Sequence, residues 1–246
     1  MTNPDLPIDL FTDGETDDPV FARVVPLERV WFRPKFEAMR RSRFDRTLYL
    51  DTDLRVLADI SDVFDLLDRV EIAGAHDAYR ASRKALDPSL PPAFPQINSG
   101  VLALRSGDRT AGIMAEVERQ LHESQAKKDQ PILRRVLWES DIAVGILPEE
   151  YNLMAYRHVA LWSDRYAAPR IVHNSRFSHL GAGGLAALTG GRLARHIEQL
   201  IRHDPTLQTD ATRSRIFPPI DRTPWGAVAR AVEKIRLEAA KRRAKD

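Results

Sequence analysis

Thr47-Leu48-Tyr49-Leu50-Asp51-Thr52-Asp53 is the stretch that decides how this chain is read. Leu48, Tyr49 and Leu50 make a short β-prone apolar run that ends abruptly in two carboxylates separated by one small residue. A buried strand delivers charge to a sheet edge in this way. In an open α/β sheet the ligand crevice lies outside the carboxyl ends of the strands, so Asp51 and Asp53 are expected where a ligand sits. Two carboxylates this close repel each other at neutral pH, and a hard divalent cation bridged to substrate phosphates relieves that. The expectation is a metal–diphosphate site.

The same pattern has two other readings. Asp51 or Asp53 can end a strand and cap the next helix with no ligand at all. An aspartate-nucleophile phosphatase also places Asp-x-Asp after a strand, but the second position after that motif is then Thr or Val, and here it is Arg55. Its strand also lies near the start of the domain, so this reading is disfavoured.

Composition narrows the class. The chain has 246 residues, 43% hydrophobic and 29% charged, which describes a globular protein with a full core. The net charge of +2 hides an uneven spread: residues 1–30 hold seven acids against two arginines, and residues 222–246 hold eight basic residues against three acidic ones. The basic end is a candidate for contact with an anionic surface. Cysteine is absent, which excludes disulfides and thiolate metal sites. No apolar run reaches membrane-span length and no basic stretch followed by an apolar core opens the chain, so a cytoplasmic protein is expected. Trp and Tyr are scattered rather than interleaved with basic residues, which argues against a nucleic-acid platform.

Along the chain, Ile8 to Phe11 and Ala22 to Val25 read as short strands around an acidic loop. Pro34 suits the first turn of a helix to about Phe44, with Phe36 and Met39 inward. Ser61 or Asp62 caps a short helix, and Val70 to Ala75 is a strand ending at His76-Asp77. Residues 80–96 carry four prolines and read as an irregular loop crossing a site. Gln96 to Gly100 leads into a strand at Val101 to Leu104, and Ile113, Met114, Val117 and Leu121 set a helix over 108–124. Asp129-Gln130-Pro131 opens the next helix. Val144 to Leu147 and Arg170 to Val172 are strands, the second ending in His173-Asn174. Leu193, Ile197, Leu200 and Ile201 then form an amphipathic helix, and Trp225 to about Arg243 a second. Alternating strands and helices predict a layered α/β domain.

Several strands therefore end in candidate ligands: Asp51 and Asp53, Asp77, Asn98 and His173. Converging on one sheet edge, they would make a site. Asp51-Thr52-Asp53 behind an apolar strand, Asn98-Ser99-Gly100 with its apolar strand, Asp129-Gln130 and the late His173 together resemble the GT-A glycosyltransferases, specifically the retaining glycogenin-like family 8. The resemblance covers about Leu6 to Ser178. It implies a GT-A-like, Rossmann-related mixed sheet flanked by helices over residues 1–189 and leaves the C-terminal part unexplained; residues 190–246 read from their own pattern as a helical appendage with a basic tail.

The resemblance also implies roles. Asp51, Asp53 and His173 match the shell of Mn²⁺ (or Mg²⁺) on the donor diphosphate, where a cation stabilises the charge left by glycosyl transfer. Asp77, Asn98 and Ser99 match positions lining the donor and acceptor pocket. Asp129 and Gln130 match the pair beside the anomeric carbon, and Lys35 resembles a donor-contacting basic residue on the helix before the metal strand. Each has a plainer alternative: His173 as a core histidine, Asp129 as a helix cap, Asn98 as a turn partner of Gly100, Lys35 as a solvated surface residue. Retention needs either a protein nucleophile or attack on the same face as departure; Gln130 is a poor nucleophile, so same-face attack assisted by the leaving phosphate is the better reading.

Two departures stand out. The family's first, base-holding strand would precede Ile8, so the first nucleotide-binding strand is expected to be missing and the chain N-terminally short. The family's His-x-x-Gly-x-x-Lys-Pro stretch is replaced by His173-Asn174-Ser175-Arg176-Phe177, leaving Arg176 as a substitute for the lysine. The implied function is a metal-dependent transferase moving a sugar from a nucleotide sugar, a UDP-sugar by resemblance, to a glycan, lipid-linked or protein acceptor. The alternative is a GT-A-like domain without catalysis that serves as a binding or assembly partner. Arg230, Lys234 and Lys241 would carry any peripheral membrane contact.

Overall fold

Residues 3, 5–29, 31–78, 87, 89–163, 165–179 and 184–207 are described by the computed structural model of the chain. In order, the elements are β1 (Asp9–Thr12), β2 (Arg23–Pro26), α1 (Lys35–Arg40), β3 (Arg46–Leu50), β4 (Leu54–Val56), α2 (Asp62–Leu66) and β5 (Ile72–His76). There follow β6 (Ile97–Arg105), α3 (Asp108–Ser124), α4 (Gln130–Trp138), β7 (Val144–Leu147), β8 (Ile171–His173), α5 (Gly184–Thr189) and α6 (Gly191–His203). They fall into two units, Met1–Asp51 with Asp59–Asn152, and Thr52–Ala58 with Leu153–Asp246. The helix expected from Trp225, with Arg230, Lys234 and Lys241, lies outside the described residues, as do most of the proline-rich loop's first half and Gly181.

The first unit is built on a mixed four-stranded sheet of order β3-β6-β5-β7. β6 runs antiparallel to both β3 and β5, and β5 pairs in parallel with β7. β6 is buried along nearly its whole length, as a central strand covered on both faces must be. Helices flank the sheet: Phe36 and Met39 of α1, Ile113, Met114, Val117 and Leu121 of α3, and Leu133, Val136 and Leu137 of α4 close over Ile72, Ile97, Leu102 and Leu104. β1 and β2 form a separate parallel pair. The mixed sheet flanked by helices, followed by C-terminal helices, is the architecture expected from the sequence.

Close strand approach fixes one glycine. A Cβ on Gly74 of β5 would lie 2.4 Å from Ile97 Cγ2 and 3.2 Å from the Val101 carbonyl oxygen, so no larger residue fits there unmoved. The β5–β6 register slips just after it, between Gly74 and His76, and the Asp77 N–H then bonds the Gln96 carbonyl at 2.8 Å. That bulge decides where β5 hands its polar end to the sheet edge.

Two boundaries differ from the sequence reading. α1 stops at Arg40 rather than Phe44, because Ser42 Oγ meets Thr47 Oγ1 at 2.6 Å and accepts the Phe44 N–H at 3.4 Å. Side-chain bonds to a local hydroxyl compete with the helix ladder. β6 begins at Ile97 instead of Val101, so Asn98, Ser99 and Gly100 lie within the strand.

In the second unit β4 and β8 pair antiparallel, with Leu54 opposite His173, and Leu153 bridges Val172 on the other side of β8. The core here comprises Leu153, Tyr156, Val159, Trp162, Val172 and Phe177 with Leu188 of α5 and Ile197 and Leu200 of α6. The amphipathic helix expected from Leu193, Ile197, Leu200 and Ile201 is α6. No helix among the described residues is long and apolar enough to cross a membrane.

Candidate active site

In the first unit, Asp51 continues the β3 ladder for one more step: its N–H donates to the Gly100 carbonyl at 2.8 Å. That bond fixes the backbone from which the carboxylate projects. Tyr49, two residues back and on the same strand face, donates its hydroxyl to Asp51 Oδ1 at 2.7 Å. Lys35, the first residue of α1, brings its ammonium to 3.3 Å from each Asp51 oxygen.

The same ammonium reaches Asp129 Oδ2 at 3.1 Å and Ser99 Oγ at 3.1 Å, and Ser99 Oγ donates to Asp129 Oδ2 at 2.8 Å. Lys35 thus has as many partners as it has N–H donors. Its side chain is 9% exposed, so it is not the solvated surface residue that its sequence context favoured. Burial pushes the Asp129 carboxyl up, but Lys35, the Ser99 hydroxyl and Arg33 together outweigh it and hold the group below its ordinary value. Asp129 is therefore a buried, charged carboxylate. It occupies the cap position of α4 yet makes no side-chain cap bond, because its oxygens face Lys35 and Ser99 instead. Gln130, next in the chain, is half-buried in the first turn.

Asn98 and Asp77 are both buried. Asn98 Oδ1 accepts the Gly100 N–H at 3.0 Å, within a strand and not in the turn weighed from the sequence, and it also accepts a hydrogen bond from Asn152 Nδ2 at 2.9 Å. With two donors on its oxygen, the Asn98 amide has one orientation. Asn152, itself buried, carries no local sequence signal that would have singled it out. Tyr49 could have been found, since a residue at i−2 on a strand shares the face of the aspartate.

In the second unit, His173 closes β8 with its ring buried, and Nε2 lies 3.0 Å from Asp53 Oδ1. The Asn174 N–H donates to the Asp53 carbonyl at 2.9 Å, tying the start of β4 to the end of β8. His173 is therefore satisfied by a carboxylate and not only by backbone. Arg176, on the short 3-10 turn after β8, is exposed, and its N–H bonds Asn174 Oδ1 at 3.1 Å.

Asp51 ends the first segment of the first unit, and Asp53 follows two positions on in the chain, in the second unit. In the second unit the Asp53 carboxylate and the His173 imidazole face one another, and Asp51 is the carboxylate two residues before Asp53 in the chain. Two carboxylate oxygens and an imidazole nitrogen suit a divalent cation of hard to borderline character.

A family model described as nucleotide-diphospho-sugar transferase matches residues 30–182. No curated protein matches the chain. Similar solved structures include the galactosyltransferase LgtC in complex with donor and acceptor sugar analogues, 13% identical over 87% of this chain and 91% of that one, with a TM-score of 0.49. Mouse xyloside xylosyltransferase 1 in its apo form is 18% identical over 58% of this chain and 63% of that one, TM-score 0.40. Glycosyltransferase GlyE of Streptococcus pneumoniae TIGR4 is 19% identical over 80% of this chain and 51% of that one, TM-score 0.43.

Proposed function

The chain belongs to the nucleotide-diphospho-sugar transferase family and is a glycosyltransferase, and from that premise we propose that it moves a sugar from a UDP-sugar, with retention and with a divalent cation, to a glycan, lipid-linked or protein acceptor. The observation that carries the metal is the 3.0 Å contact between Asp53 and His173, with a second carboxylate, Asp51, two positions earlier in the chain. Asp51, Asp53 and His173 would hold the ion, and the imidazole in the set counts against Mg²⁺, which keeps oxygen and water ligands, and for Mn²⁺. When bound, the ion supplies positive charge to the departing diphosphate.

The residues of this chain do the rest. Asp129, kept charged by Lys35 and Ser99, is a fixed acceptor for sugar hydroxyls, and Gln130 beside it offers a polar but non-nucleophilic face to the reacting carbon. With Gln130 facing the reacting carbon and Asp129 engaged by Lys35 and Ser99, retention is assigned to same-face attack. The acceptor oxygen bonds to the anomeric carbon as the carbon–oxygen bond to the diphosphate breaks, and the acceptor's proton passes to the leaving phosphate. Asp77, Asn98 and Ser99 are assigned to the walls of the donor and acceptor pocket. The basic C-terminus is assigned to peripheral contact with anionic lipid.

The test is turnover of a panel of UDP-sugars by wild type and Asp53→Ala, with Mn²⁺ or after chelation. Loss of turnover on chelation and in Asp53→Ala, with the melting temperature kept, is the expected result. Full turnover in either case would sink the metal assignment.

A further inference from the structure

We infer that Tyr49 is a positioning residue for the proposed metal site: its hydroxyl sets the Asp51 carboxylate in the orientation that binds the cation. The inference rests on the reading of Asp51 as a metal ligand and adds a residue to it.

Tyr49 and Asp51 are two residues apart in β3 and its continuation, held by the pairing of Tyr49 with Leu102 and of Leu50 with Val101, and by the bond from the Asp51 N–H to Gly100. Residues at i and i+2 on a strand project from the same face, so the backbone delivers the phenol alongside the carboxylate. The O–H to Oδ1 distance of 2.7 Å is that of a charge-assisted bond between a neutral donor and a charged acceptor.

Lys35 alone does not define the carboxylate plane. Its ammonium is equidistant, at 3.3 Å, from Oδ1 and Oδ2, so rotation of the carboxylate about its own axis exchanges the two contacts at little cost. The Tyr49 hydroxyl distinguishes the oxygens, because it is short to Oδ1. The tyrosine is itself braced: the Lys35 ammonium lies 5.8 Å from its ring centroid. A metal ligand that swings freely loses orientational entropy when it binds, and groups that hydrogen-bond a ligating carboxylate remove that cost in advance.

Tyr49→Phe keeps the ring and its packing and removes one oxygen. Mn²⁺ affinity, measured by calorimetric titration with uridine diphosphate present, should fall about 10- to 100-fold, with the metal-free melting temperature kept and turnover recovering at saturating Mn²⁺. Recovery at high metal separates positioning from a contact with substrate, whose loss excess Mn²⁺ would not mend. Asp51→Ala is the companion. If it abolishes Mn²⁺ binding while Tyr49→Phe binds as wild type does, the inference is overturned and the metal reading stands. If Asp51→Ala binds Mn²⁺ as wild type does, the metal reading falls and the inference with it.

Discussion

Replacing Lys35 by Met tests whether the ammonium is a structural cation of the first unit. At 3.1 Å from Asp129 and 3.3 Å from Asp51, each charge pair is worth about 5 kcal/mol at the effective dielectric of a partly buried site, most of it offset by desolvation. Removing one partner of a buried pair costs about 3–5 kcal/mol, because the other charge stays behind unmatched. Asp51 is one-quarter exposed and can recruit water, which puts the expected loss near 3 kcal/mol, or roughly 6–12 °C in melting temperature for a chain of this size. The pH dependence carries more information. In wild type Asp129 is held below its ordinary value, so its contribution is full above the unfolded pKa and is lost as pH falls through the folded one. In Lys35→Met the burial that now opposes ionisation is answered only by Ser99 and Arg33, so the folded value should rise. The penalty of the mutation should therefore be largest near pH 7 and shrink as acid protonates Asp129. Urea denaturation at pH 7 and in the acid range, with Lys35→Met/Asp129→Asn alongside, reads this directly. A penalty that is flat with pH and unrelieved by Asp129→Asn would refute the claim that Lys35 acts through Asp129.

Gly74→Ala should cost about 1–3 kcal/mol in urea denaturation, because its Cβ would stand 2.4 Å from Ile97 Cγ2 in a fully covered strand pair; a neutral effect would mean that Ile97 shifts freely. Glu37→Gln should cost about 3 kcal/mol at pH 7, since the buried carboxylate accepts the Glu28 and Arg29 N–H groups at 2.7 and 3.3 Å and pairs with Arg41. Burial raises the Glu37 pKa, but the bonds from Glu28 and Arg29 and the Arg41 cation win and lower it. Its contribution is thus present above the unfolded pKa and lost as pH falls through the folded value, so wild type and Glu37→Gln should converge in acid. A difference that persists there would assign the effect to shape instead of charge.

The strands and helices were legible where periodicity was strong. α3 falls over the residues that Ile113, Met114, Val117 and Leu121 predict, and β7 over Val144 to Leu147. β4 was not foreseen, because three residues directly after a charged motif hold too little pattern to distinguish a strand from a loop. Nor was the start of β6: Asn98, Ser99 and Gly100 have low strand propensity, and only their burial between β3 and β5 keeps them extended. In the site, the carboxylates and His173 could be named because residue type and position after a strand are local facts. The partner that defines Lys35 could not, since Asp129 lies on another helix 94 positions away in the chain.

Repulsion between Asp51 and Asp53, taken from their spacing alone, makes the two carboxylates equivalent candidates for a divalent cation. They are supported differently. Asp51 has a permanent cation, Lys35, and a neutral donor, Tyr49. Asp53 has His173, whose nitrogen can exchange a hydrogen bond for a metal bond. The fixed ammonium lowers the negative charge that Asp51 offers to any ion, while it holds Asp129 ionised. An ion bound here would meet less than two full negative charges from the motif, and a diphosphate arriving with it would supply the rest.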